Sequence, residues 1–151
     1  MIPAQTYKFV AVTPPGAVSD DATLTTTEID TLGFDYAQII VYLGATDIAM
    51  AALKVTESDT PGSGHADVTG LVFGTSPNTD GATSALPSAT DDNKAFAFDI
   101  DLRGRKRYLD VTAATGDGTA GTYVTIFALL WRAEDTPTTA AQRGFAEVLR
   151  V

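Results

Sequence analysis

Apolar and polar residues alternate with a period of two over much of this chain, the period at which a β-strand turns successive side chains to opposite faces. The pattern is clearest from Lys94 to Trp131. Phe98, Ile100 and Leu102 fall on one face of a predicted strand, and Asp99 and Asp101 on the other. A basic turn follows, Arg103-Gly104-Arg105-Lys106-Arg107, then a strand from Tyr108 to Thr112, a Gly-rich turn, and a strand from Tyr123 to Trp131. Nearer the start, Thr6 to Val12 reads as a strand stopped at Pro14-Pro15-Gly16, and Ala22 to Ile29 as a Thr-rich strand anchored by Leu24 and Ile29. Tyr36 to Leu43 is continuously apolar enough for a core strand and ends at Gly44. Ala49 to Glu57 fits a strand or a short helix, and its strand neighbours favour the strand. Ser58 to Asp67 reads as an exposed loop and Val68 to Gly74 as a short strand.

Thr75 to Asn93, built from small and polar residues, is expected to be a long, mobile surface loop. Thr136 to Gln142 predicts a single helical turn, and Phe145 to Val151 alternates as a closing strand. Eight or nine short strands with no long helix predict one all-β domain over residues 1–151, an antiparallel β-sandwich of jelly-roll type.

Composition changes this picture little. A length of 151 residues suits one domain able to bury a core, and the absence of cysteine removes disulfides and thiolate metal sites. Alanine and threonine are abundant; Thr favours strands and Ala lets sheets approach closely. The N-terminus lacks the basic and apolar regions of a signal peptide, and no apolar run reaches transmembrane length. The sequence therefore predicts a soluble chain made in the cytoplasm, with no membrane partner. A net charge of −9 argues against nucleic acid, whose phosphates need a basic face, and favours contact with a basic partner surface.

Candidate chemistry is sparse. His65 is the only histidine, and Ser63, His65 and Asp67 alternate along one loop, where an extended chain keeps them from converging. His65 is expected to be a solvated loop residue. Asp99-x-Asp101-x-Arg103-Gly104 resembles a calcium loop, but Arg103 occupies a position that needs an oxygen ligand. Asp99 and Asp101 are expected instead to pair with Arg105 or Arg107 across a hairpin. Gly116-Asp117-Gly118 lacks the Lys-Ser/Thr of a phosphate loop and reads as a hairpin turn. No catalytic residue, metal site or cofactor is predicted, and the chain is read as a non-enzyme.

Two features are open to a binding reading. Arg103, Arg105, Lys106 and Arg107 hold four of the ten basic side chains in five positions, after a stretch with fourteen acids and three bases. They form either a solvated turn or a contact with an acidic neighbouring subunit, including another copy of the chain. Trp131 closes the longest apolar strand and belongs either to the core or, with Tyr108 as a second candidate, to a sugar-stacking platform.

The order of segments resembles the small accessory capsid proteins of tailed bacteriophages. The residues that carry the resemblance are Ile29 to Ala37 (IDTLGFDYA), Leu53 to Ser58 (LKVTES), Leu102 to Leu109 (LRGRKRYL), the Gly-rich hairpin, and Arg132-Ala133-Glu134 before Pro137. The resemblance implies a jelly-roll decoration or cement protein, a homo-oligomer of trimeric form, bound to the major capsid protein on the outside of the head. It implies a place in the virion after synthesis in the host cytoplasm, and no catalytic site. The alternative from the residues is a carbohydrate-binding sandwich module for host adhesion, a head fibre or a tail.

Overall fold

The computed structural model describes residues 6–14, 16 and 18–149. Pro15 of the predicted breaker, the first five residues, and Arg150 and Val151 of the predicted closing strand lie outside the described residues. Eight strands are present: β1 (Lys8–Ala11), β2 (Ile29–Asp30), β3 (Phe34–Thr46), β4 (Ala52–Ser58), β5 (Ala66–Val72), β6 (Ala95–Asp101), β7 (Tyr108–Ala114) and β8 (Thr122–Ala133). They form two antiparallel four-stranded sheets, ordered β1-β8-β3-β6 and β2-β7-β4-β5. The chain changes sheet at nearly every connection, and only β4 and β5 are consecutive neighbours. This is the jelly-roll order, the expected all-β sandwich.

The core lies between the sheets and follows from the alternation. On β3, Ala37, Ile39, Val41 and Leu43 are buried, and on β8 Val124, Ile126, Ala128 and Leu130 lie beside them. Leu53 and Val55 on β4 and Leu109, Val111 and Ala113 on β7 face them from the second sheet. Each fully buried Leu, Ile or Val contributes about 1.5–3 kcal/mol of hydrophobic stabilisation. The segment read as Ala49 to Glu57 resolves as a strand from Ala52 on, because Leu53 and Val55 alternate inward and pair with Ala113 and Val111.

Three expectations are corrected. Ala22 to Ile29 is not a continuous strand: Thr23 makes an isolated bridge to Ala114 and only Ile29–Asp30 joins a sheet. Its Thr-rich run has too few inward apolar anchors to hold a ladder. Over its described part, Phe145 to Leu149 is not a strand either; a turn spans 139–144, later than the predicted 136–142, and Phe145 lies against aromatic rings. The Thr75–Asn93 stretch is a long exposed loop as expected, but it is braced. Asn78 Oδ1 accepts the amides of Asp80 and Ala82, and Asp91 accepts the Ser88 amide and hydroxyl and the Lys94 ammonium.

The four sheet edges are treated differently. The β1 edge is closed where the Phe9 amide donates to the Arg143 carbonyl at 2.8 Å. Gly144 makes this close approach possible: its φ is +78°, and a Cβ there would run into the Phe9 carbonyl. β2 is only two residues long, and β5 pairs with β4 through a register shift between Lys54 and Thr56. Among the described residues no strand pairs with the outer edge of β6.

Candidate functional site

The outer face of the β1-β8-β3-β6 sheet is the first candidate. Antiparallel sandwich sheets ordinarily turn polar residues to water. Here the outward positions of β8 are Tyr123, Thr125, Phe127, Leu129 and Trp131, and their β3 partners are Tyr42, Ile40, Gln38 and Tyr36. β6 adds Ala95 and Ala97 beside Tyr42 and Ile40, and then Asp99 and Asp101 beside Gln38 and Tyr36. Phe127, Leu129, Trp131 and Ile40 are half-buried, while Tyr42 and Tyr123 are 46% and 49% exposed.

The C-terminal turn shields part of this face. Phe145 stacks on Phe9 at 5.3 Å and meets Tyr7 edge-on at 6.1 Å; Phe9 in turn lies 5.6 Å from Phe127. The Arg143 guanidinium, in a residue only 6% exposed, sits over the rings of Tyr7 and Phe145. The covering reaches the β1 side, and the apolar positions nearer β3 and β6 stay open.

The basic turn is the second candidate, and its partners differ from those expected. β6 and β7 belong to different sheets, so Asp99 and Asp101 cannot face Arg105 and Arg107 across a hairpin. Asp101 instead receives Arg103, whose Nε and Nη2 donate at 2.9 and 2.6 Å. Asp99 accepts the Gln38 amide at 2.8 Å. Arg107 makes the same two-pronged contact with Asp30, at 2.8 and 2.7 Å, and Arg105 lies 3.5 Å from Glu57. Glu57 also accepts the Lys106 amide. The side-chain bond from Arg103, helped by that residue's amide, holds the Asp101 carboxyl at about 2. Asp30 is likewise lowered, chiefly by Arg107.

Arg103 and Arg132 place guanidiniums 5.1 and 5.6 Å from the Tyr36 ring, which joins the basic turn to the aromatic sheet face. Of the basic turn, Arg103 edges that face, while Arg105 and Arg107 turn to Glu57 and Asp30 of the other sheet; all three guanidiniums are matched by carboxylates of the same chain.

No family model, curated protein or solved structure matches this chain.

The two rings considered for a sugar platform are not brought together. Trp131 points outward from one sheet, where it meets Tyr7 edge-on at 6.5 Å; Tyr108 points outward from the other, under the Arg107 guanidinium at 4.9 Å. His65 is more covered than expected. Its side chain is 17% exposed, and Nε2 lies 3.0 Å from Glu28 Oε2. Glu28 also accepts the Gly62 amide, so it fastens the loop between β4 and β5 to the chain before β2. The 116–121 segment is not the expected hairpin turn, because β7 and β8 lie in different sheets; it crosses between them and wraps around Asp47, which accepts the Ala120 and Thr119 amides at 2.6 and 2.7 Å. Those bonds lower the Asp47 pKa.

The aromatic outer face goes unread when Tyr36 to Leu43 is taken as a core strand, although its signal is present: YAQIIVYL and YVTIFALLW carry apolar residues at both parities. A strand buried on one face needs them at only one.

Proposed function

We propose that this chain is a structural virion protein, a decoration or cement protein that binds the outside of a bacteriophage head and braces neighbouring capsomers. The observation that carries the reading is the apolar, aromatic outer face of the β1-β8-β3-β6 sheet. Exposed apolar sheet surface of this kind is a protein-contact surface. Tyr42, Tyr123, Ile40 and Phe127 supply large contact area with few rotamers to fix. The resemblance of the segment order to accessory capsid proteins supplies the particle. In this reading the major capsid protein is the partner, the chain acts as a homo-oligomer, a trimer, and no cofactor takes part.

The test is binding to heads that lack the protein. The purified chain is mixed with such particles and the bound copies are counted against the major shell protein after sedimentation. Saturation at hundreds of copies per particle is expected, with loss of binding for Ile40→Glu with Tyr42→Glu. A few copies would move the protein to a fibre or tail. No binding, or full binding by the double variant, would overturn the reading.

A further inference from the structure

Three pieces of chain enclose a cavity of about 420 Å³: the end of β5, the β6 strand, and the hairpin of residues 76–84. Its presence follows from how β5 is built. Thr56 pairs with Asp67 and Lys54 with Val72, so Val55 alone stands opposite residues 68–71. A bulge of that size takes the chain off the ladder, and Gly70 makes the turn at a φ of +90°, where a side chain would be strained. Gly70 and Leu71 are thereby carried onto the cavity wall.

The hairpin wall is equally fixed. Pro77 bridges to Thr83, and the Asn78 amide donates to the Ala82 carbonyl. Ser76 Oγ accepts the Val72 amide and Ser84 Oγ accepts the Gly74 amide, which ties the hairpin to the end of β5. Phe73 meets Phe96 and Phe98 edge-on at 5.8 and 5.0 Å and fastens that same end to β6. The cavity is therefore held open by the chain's own bonds. Its volume falls in the range of about 300–1,000 Å³ that takes small organic ligands.

The lining decides what kind of ligand fits. Leu71, Phe73, Phe96 and Phe98 make the walls apolar. Asp99 is the one charged residue among the described lining, and it is exposed. One of its oxygens accepts the Gln38 amide at 2.8 Å, and the other has no hydrogen bond among the described residues. An anion would be repelled by that carboxylate and by a net charge of −9. A sugar would set most of its hydroxyls against phenyl and isobutyl groups that cannot bond them. An apolar body with a cationic end suits both parts. The body displaces water from the walls, and the cation stays at the mouth, still hydrated, with a carboxylate to accept its protons.

We propose that this cavity binds a small organic cation, an apolar or aromatic amine, with its ammonium on Asp99 and its hydrocarbon between Leu71 and the phenyl rings.

Three probes that share one ring and differ in the charge beside it test the site: naphthylmethylamine, naphthylmethanol and naphthoate. Each is titrated into the full chain, and amide NMR shifts locate and quantify binding. Shifts are expected at Leu71, Phe73, Ala97 and Asp99, with the amine bound about tenfold more tightly than naphthoate. Asp99→Asn, at an exposed position, should bring the amine to the affinity of the alcohol and leave the alcohol unchanged. Leu71→Trp, which fills the cavity, should remove binding of all three. No shift with any probe, shifts centred elsewhere, equal affinity for amine and naphthoate, or an amine indifferent to Asp99→Asn would overturn the proposal. None of these readouts involves a particle, so the site is tested apart from the capsid reading.

Discussion

The buried hydroxyl pair Thr46 and Thr122 gives a prediction in which direction matters as much as size. Thr122 is fully buried and Thr46 is 8% exposed. Thr46 Oγ1 lies 2.9 Å from the Ile48 carbonyl and 2.8 Å from Thr122 Oγ1. A carbonyl can only accept, so the single hydroxyl proton of Thr46 goes to Ile48. The proton between the two threonines therefore belongs to Thr122, and Thr46 accepts it. Thr122→Val keeps the shape and removes one donor, while Thr46 retains its bond to Ile48; the cost is about 1 kcal/mol. Thr46→Val strands two groups, the Thr122 hydroxyl and the Ile48 carbonyl, and costs about 2–3 kcal/mol. Urea denaturation reads both. With a slope of about 2 kcal/mol/M, the midpoint falls by about 0.5 M for Thr122→Val and about 1–1.5 M for Thr46→Val. The double variant should cost about 1 kcal/mol less than the sum, because the stranded Thr122 hydroxyl is gone. Equal costs for the two single variants, or simple additivity, would refute the assigned direction.

Three further outcomes follow from the packing and charge. Gly144→Ala meets both a left-handed backbone and the Phe9 carbonyl, so it should cost at least about 1 kcal/mol and speed amide exchange at Phe9 while β3 and β7 stay protected. Ile126→Ala, at a fully buried position, should cost about 2–5 kcal/mol in the same denaturation assay and leave the fold two-state. The Asp101 pKa lies below its ordinary 3.8, so its contact with Arg103 stabilises the fold above that value and is lost as pH falls toward about 2. Arg103→Gln should return the Asp101 carboxyl toward 3.8, as followed by carboxyl carbon NMR, yet leave it somewhat lowered because the residue-103 amide still donates.

The sandwich was legible because burial has a period. Ile39, Val41 and Leu43 on β3 and Phe98 and Ile100 on β6 had to share faces once they were strands. Pairing was not legible, because alternation says which face a side chain takes and nothing about which strand lies beside it. The basic turn shows the difference. Arg105 and Arg107 find Glu57 and Asp30, 48 and 77 residues away in the chain, and not the aspartates a few residues before them. The closing segment failed for another reason. Its alternation is real, but Phe145 gains more from the rings of Phe9 and Tyr7 than a strand at the covered β1 edge could offer. The Thr-rich run before β2 had strand propensity without anchors, and propensity alone does not hold a ladder.

The pairing of β1 with β8 has a consequence for synthesis. β1 ends at Ala11 and its neighbour begins at Thr122, so the first strand has no seat until the last has been made. Chains grow at roughly 5–20 residues per second, which leaves β1 waiting for about 10 s. β8 also fills the place between β1 and β3, so Tyr36 to Leu43 stays bare along one side for most of that interval. Each nascent chain therefore emerges as a half-built sandwich with its stickiest strand uncovered, and translation of the final third sets when the molecule becomes safe to release.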